Sequence, residues 1–314
     1  MKMTIEAAAY NYIGGRKNNE DNFYLNGTLL KRELMDRGGK VSVVCKDPTQ
    51  IYAVFDGMGG GEYGEDAAYM ASARLQEYQE KSEHPDNSDY LRNFLTETSK
   101  EIDGISLKNG LKSGACGSTA AILILGDWWF RTAHVGDSRI YLLRGKDFTR
   151  VTKDQSEVQR LIDSGRITPE MAFTHPHKNV ITHHLGMPLK GKELESVISV
   201  RRTLKAGDWF LICSDGVSDS LRDIEILKLI NTEESPADNA NRLVKCAFNT
   251  MSDRGVESDN LTAIFVKVCG VNAVDEQDRR VLKLRLRRAL LAGLTAVFGL
   301  GMLATLMQII QFFR

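Results

Sequence analysis

The chain has no cysteine pair in CxxC spacing; Cys45, Cys116, Cys213, Cys246 and Cys269 are its only five and stand far apart. That argues against a zinc cluster and a disulfide framework, and it fits a reducing cytosol. No internal repeat is visible, which sets aside solenoids and propellers. The chain also has no net charge, with 41 Lys and Arg against 41 Asp and Glu in 314 residues. Seven of the basic residues lie beyond Asp278, where no acid follows. Residues 1–278 therefore hold 34 basic against 41 acidic side chains, a formal charge of −7. A domain of that sign binds polyanions poorly, so nucleic acid is not an expected partner. The N-terminus has no long apolar run, so no signal peptide is expected there.

What the chain does have is acid in unusual places. Five stations, each beside glycine or asparagine, lie near apolar runs: Glu20-Asp21, Asp56-Gly57-Met58-Gly59-Gly60, Gly136-Asp137-Ser138-Arg139, Ser214-Asp215-Gly216 and Asp259-Asn260. Asp56 follows the run Ile51–Phe55, Asp215 follows Trp209–Cys213, and Asp259 precedes Leu261–Val266. Such β-rich runs read as buried strands. A carboxylate at the end of a buried strand is costly unless something pairs it. Most of these have no basic residue close in sequence, so a metal is the expected partner. Hard oxygen ligands suit Mg²⁺ or Mn²⁺.

Residues 4–30 alternate and read as an opening β-ribbon that carries Arg16 to Asp21 in or near it. Strands are expected at Val41–Cys45, Ile51–Phe55, Thr119–Leu125, Trp128–Val135, Arg139–Leu143, Glu195–Thr203, Trp209–Cys213 and Leu261–Val268. The glycine cluster Gly57–Gly61 turns the chain into a helix over about 64–80, and a second follows over about 89–105. Further helices are expected near 157–164, 223–231 and 236–252. The stretch 152–190, interrupted by Pro169, Pro176 and Pro188, reads as an irregular inserted segment. The glycine cluster opens on an aspartate, which argues against a dinucleotide fingerprint. Two helix pairs on either side of a β-block favour an α+β fold, a four-layer α/β/β/α sandwich of two antiparallel sheets flanked by helices.

Ala289–Phe313 carries no charge over 25 residues. As a helix it would extend roughly 37 Å, enough to cross a bilayer with some tilt. Six basic residues occupy the ten positions before it, and only Arg314 follows. The positive-inside rule then keeps the large N-terminal part in the cytoplasm. The expected organisation is a catalytic domain over 1–270, a basic juxtamembrane linker over 271–288 and one transmembrane helix over 289–313, a single-pass protein of the cell membrane.

The order and spacing of the stations, together with Arg16, Gly117-Ser118-Thr119 and the 152–190 segment, resemble the metal-dependent serine/threonine protein phosphatases of the type 2C class. The resemblance covers about residues 5–270. Thr152-Lys153-Asp154-Gln155, Gly165–Pro169 and His175–Ile181 look like the flap of the bacterial branch. The resemblance implies hydrolysis of phosphoserine and phosphothreonine in cytoplasmic proteins by a metal-activated water, opposing a serine/threonine kinase. It implies two Mn²⁺ or Mg²⁺ ions and a weaker third position. Asp56 would bridge two ions, with the Gly57 carbonyl binding one, and Asp215 and Asp259 would complete the other's coordination. Glu20 and Asp21 would act largely through coordinated waters. Arg16 would grip the substrate phosphate, and Asp137 with Asp215 and Asp219 would form the third position. Met58 stands where many relatives have a proton-donating histidine, which leaves water or a flap histidine for that task. The close histidines His175, His177, His183 and His184 lack cysteine partners and do not read as a zinc site. Two alternatives stay open: a catalytically idle module that holds phosphoproteins, and a switch phosphatase dedicated to one partner.

Overall fold

The computed structural model describes residues 3–58, 63–82 and 84–271, which all fall within one compact unit, Met1–Asn272. Its six-stranded sheet runs in the order Asp147–Arg150, Arg139–Arg144, Trp209–Cys213, Leu261–Gly270, Thr4–Tyr12, Gly39–Cys45. The other sheet runs Val197–Ile198, Trp129–Val135, Ala120–Gly126, Thr49–Met58, Asp21–Leu25, Thr28–Leu29. Arg202–Thr203 also pairs with Trp129–Val135, and Gly117–Ser118 with the end of Thr49–Met58. All of these pairings are antiparallel.

Both faces of the central strands are covered, which explains why they read as unbroken apolar runs. Ile264, Val266 and Val268 point into the core between the sheets, while Leu261, Ala263 and Phe265 point to a second core under a helix. Ile5, Ala7 and Ala9 likewise face the inter-sheet core, and Tyr10 and Tyr12 the other. That is the period-two alternation of a strand with two apolar neighbours. Pro236–Asp253 lies over the six-stranded sheet, and Tyr12 meets its Phe248 edge-on at 5.3 Å. Gly64–Lys81 packs on the other sheet through Leu75 and through Ala67, Ala68 and Ala71, small residues that let helix and strands approach closely. Ser88–Lys108 packs beside it, opened by Asn87, whose side chain accepts from the Asp89 and Tyr90 amides. The expected sandwich of two antiparallel sheets between helices is therefore observed.

Three details differ from the sequence reading. Residues 4–30 do not form a ribbon: Thr4–Tyr12 and Asp21–Leu25 belong to different sheets, so the loop that bears Arg16 and Glu20 crosses from one layer to the other. The strand expected over Glu195–Thr203 shrinks to two short pairings on an edge. Within the flap, Pro169 does not merely interrupt; it opens a short helix, Pro169–Phe173, capped by Thr168. The basic linker from residue 272 onward and the expected transmembrane helix lie outside the described residues. Among the described residues no helix is long and apolar enough to cross a membrane.

Antiparallel pairing also explains why stations far apart in sequence meet. Thr49–Met58 ends where Asp21–Leu25 begins, with Asp21 opposite Asp56. Ala120 pairs with Val135, which brings the turn at Asp137 to the same end of that sheet. Trp209–Cys213 ends where Leu261–Gly270 begins, so Asp215 and Asp259 share an end of the other sheet.

Candidate metal centre

Asp21 joins the two sheets. Its Oδ2 accepts hydrogen bonds from Thr262 Oγ1 at 2.6 Å and Ser214 Oγ at 2.7 Å, both at the end of the opposite sheet. Asn11 Nδ2 donates to Thr262 Oγ1 at 2.9 Å, and Asn19 Nδ2 to Asn11 Oδ1 at 2.6 Å, which extends the buried chain of donors. Asp21 Oδ1 is buried with no partner. Burial pushes this carboxyl up to about 7 despite the two hydroxyl donors. Sequence reasoning gave Asp21 a water-mediated role; the structure adds a direct inter-sheet clamp that it did not foresee. The legible signal was Thr262, a polar residue on the same face as Ile264 and Val266 in an otherwise apolar strand.

Around this clamp the carboxylates crowd. Asp56 is raised well above the ordinary carboxylate range, first by burial and then by Asp215, Asp21, Asp259 and Asp137. Asp215, which opens the helix Asp215–Ser220, is raised likewise by burial, Asp137, Asp219 and Asp259, and lies within hydrogen-bonding reach of Asp56. Glu20 is raised by burial, Glu65 and Asp259. The Gly57 amide donates to the Glu20 carbonyl at 2.9 Å, and the Glu20 amide to Asn260 Oδ1 at 2.8 Å. Asn260 Nδ2 in turn holds the Ile13 and Asn18 carbonyls, so this one side chain shapes the crossing loop. Two glycines permit the crowding. A Cβ on Gly57 would lie 2.2 Å from the Gly64 carbonyl oxygen, and one on Gly216 would lie 2.0 Å from that of Asn260. Any larger residue at either place would push an acidic station out of register.

Two cations answer the acids, each on one carboxylate. Arg16 Nη2 pairs with Asp259 Oδ2 at 2.7 Å, so the residue expected to grip phosphate rests on an expected metal ligand. Lys178 of the flap pairs with Asp219 Oδ2 at 2.6 Å. Asp137 is buried and pushed up to about 7, chiefly by that burial, then by Asp154 and Asp219. Arg139, two residues on, gives its hydrogen bonds to Asp154 and Tyr141 instead. Asp137, Asp215, Asp219 and Lys178 line one cavity of about 480 Å³, walled on the flap side by Val158, Ile162 and Phe173. Lys178 and Asp154 are the two residues here whose roles the sequence did not reveal.

Among the described residues no three His, Cys, Asp or Glu side chains form a closed metal cage. The donor chemistry nonetheless fits hard divalent cations. It is all oxygen, it carries more acid than the two local cations neutralise, and it includes the unpartnered buried Asp21 Oδ1. Among the described residues the flap histidines form no metal cluster, and their rings make local contacts. His175 Nδ1 accepts from the His177 amide, and His183 faces Thr182 and Glu195. His184 packs against Gly117, the strand partner of Met58, and its Nδ1 is bonded to the Leu185 carbonyl. The carbonyl can only accept, so Nδ1 carries the hydrogen and Nε2 of the neutral ring is an acceptor, while burial pushes the ring's pKa down.

Fold and site thus define a two-sheet protein with an oxygen-only acidic centre. Residues 40–263 match the family described as Protein phosphatase 2C. The chain is 32% identical over 254 residues to the serine/threonine protein phosphatase PstP of Mycobacterium tuberculosis, covering 81% of this chain and 43% of that protein. It is 28% identical over 257 residues to protein phosphatase PhpP of Streptococcus pneumoniae, covering 81% of this chain and 93% of that one. The catalytic domain of PstP in complex with two manganese ions superposes with a TM-score of 0.66 at 30% identity, over 85% of this chain and 100% of that one. Stp1 of Staphylococcus aureus gives 0.69 at 27% identity, over 84% and 95%. The chain belongs to the protein phosphatase 2C family, and it spans less than half the length of the mycobacterial relative.

Two measurements follow from this geometry. Thr262→Val removes the donor to Asp21 and the acceptor for Asn11 at constant shape, and should cost about 1–3 kcal/mol in chemical denaturation. Thr262→Ser should recover most of it, and equal stability of the Val variant would remove the clamp from the account. The second is pH. Asp21 and Asp137, raised from 3.8 to about 7, keep protons in the folded state that the unfolded chain has released. Stability of chelator-treated protein should therefore fall as pH rises from about 4 to about 7. Added Mn²⁺ should oppose that fall increasingly as pH rises; a Tm independent of pH after chelation would contradict it.

Proposed function

We propose that this chain is a metal-dependent phosphatase that removes phosphate from serine and threonine side chains of cytoplasmic proteins, opposing a serine/threonine kinase, while held at the membrane by one C-terminal span. One observation carries the catalytic reading: Asp56, Asp137, Asp215 and Asp259 gather at one place with too little positive charge nearby to neutralise them. Family membership and the manganese-bound relative support the same reading.

Asp56 with Asp215 and Asp259 would hold two divalent ions, and Glu20 and Asp21 would support them. Bound there, Mn²⁺ or Mg²⁺ supplies an acidified water as nucleophile and positive charge for the phosphoryl oxygens. The chain's own residues do the rest. Asp137, with Asp215 and Asp219, would form a third, weaker position. Arg16 is half exposed at the edge of the site and carries a planar fork of donors matched to a phosphate dianion. Met58 has no proton to give, which leaves water or a flap histidine to protonate the leaving alkoxide. The uncharged run 289–313 and the basic cluster before it support the membrane tether and the cytoplasmic orientation.

Hydrolysis of a phosphothreonine peptide should require Mn²⁺ or Mg²⁺ and vanish with a chelator; full activity after chelation and dialysis would sink the reading. At saturating Mn²⁺, Asp137→Asn should lower kcat/KM by about tenfold and Asp56→Asn by more than about 100-fold, since Asp56 is expected to touch two ions. The reverse ranking would overturn that division of roles. In cell fractions the full chain should stay with membranes through alkaline carbonate. Release by salt alone would leave only a peripheral anchor.

A further inference from the structure

A short 3₁₀ helix, Arg32–Arg37, touches both segments that enclose the Glu20 carboxylate, and its Met35 anchors it in the inter-sheet core. On one side Asp36 Oδ1 accepts from the Asn19 amide at 2.9 Å, and the Met35 carbonyl from Asn19 Nδ2 at 2.8 Å. On the other side Arg32 Nη2 donates to Glu65 Oε1 at 2.7 Å, and Arg32 Nε donates to Asp66. These are the two acids in the first turn of Gly64–Lys81. That helix starts without help of its own: Tyr63, at its N-cap, sits in the left-handed region at φ 68° and its side chain caps no amide. Arg32 holds the turn from outside. Glu20 lies against it, since a Cβ on Gly64 would come within 2.6 Å of Glu20 Oε2. Glu65 is the carboxylate that repels Glu20 most. Its Oε1 is taken by Arg32, while its Oε2 is buried with no hydrogen-bond partner among the described residues.

We propose that Arg32 and Glu65 are positioning residues for the metal centre: their ion pair fixes the first turn of Gly64–Lys81, and that turn keeps the Glu20 carboxylate directed at the ions. This rests on the reading of the site as a metal centre. The Gly64 backbone leaves Glu20 no room to retreat on that side, and the unpaired Glu65 oxygen repels it toward the centre. One guanidinium reaching two carboxylates needs its planar fork, which a lysine lacks. Charge and position then make opposite demands on Arg32. By charge alone, a cation beside an acidic centre weakens divalent binding, and its removal should tighten it. As a brace, its removal should loosen Glu20 and weaken binding. The sign of the effect separates the two.

The test uses the full chain in detergent, with free Mn²⁺ followed by electron paramagnetic resonance. Arg32→Met should weaken the tightly bound Mn²⁺ by about tenfold, the lower end of what the loss of a residue behind a metal ligand costs. Arg32→Lys keeps the charge and loses the fork, so it should weaken binding by about threefold, where charge alone predicts no change. Once Glu65→Gln has broken the pair, adding Arg32→Met should cost little more, because the two residues act as one unit. Tighter or unchanged binding in Arg32→Met, or losses that add in the double variant, would overturn the proposal. Should Arg32→Met not fold, Arg32→Lys decides, and wild-type affinity there would overturn it equally. Equal Mn²⁺ binding by every variant would sink the proposal and spare the phosphatase reading. Failure of wild type to bind Mn²⁺ at all would sink both.

Discussion

Asp21 begins a strand of one sheet and accepts hydrogen bonds from Thr262 and Ser214 of the other. A buried carboxylate is an expensive link, and hydrophobic contact alone would hold two apolar sheets together. What the link adds is registration. Apolar attraction is non-directional, whereas Asp21, Thr262, Ser214, Asn11 and Asn19 satisfy one another in a single relative position. Asp56 lies opposite Asp21 within one sheet, while Asp215 adjoins Ser214 and Asp259 lies three residues before Thr262 at the ends of central strands of the other. The clamp therefore sets how far the two halves of the acidic centre stand apart.

Mutual repulsion opposes this gathering, as the raised carboxyls of Asp56, Asp137 and Asp215 record. Where the fold has no functional reason to keep acid uncompensated, it does not. Asp154, close beside the centre, is neutralised by Arg139 at 2.7 Å and approached by Arg150 at 3.3 Å. Asp208, at the far end of Trp209–Cys213, is held by Arg144 through two nitrogens. The contrast separates carboxylates that the fold neutralises from those that it leaves crowded together. Arg16 and Lys178 stand between the two classes, since each enters from a loop rather than from a strand.

Much of this was legible in the sequence, for a definable reason. Strands buried on both faces produce apolar runs, and a lone aspartate at the end of such a run is conspicuous because burial makes it costly. Asp56, Asp215 and Asp259 were found that way, and the two-sheet architecture followed from the spacing of runs and helices. Partnership across the fold was not legible. Nothing near Lys178 in sequence points to Asp219, 41 residues on, and nothing near Arg16 points to Asp259. The crossing of residues 13–20 between sheets was also hidden, because a strand's alternation does not say which sheet it joins. Pro169 was read as an interruption although proline is equally at home in the first turn of a helix.

The central claim is that strand pairing gathers these carboxylates in order to hold divalent ions. Crystals grown with Mn²⁺, with diffraction recorded on both sides of the manganese absorption edge, test it most directly. The account predicts two strong anomalous peaks, one flanked by Asp56 and the Gly57 carbonyl and the other by Asp56, Asp215 and Asp259. Anomalous density elsewhere, or none at Asp56 at saturating Mn²⁺, would contradict it.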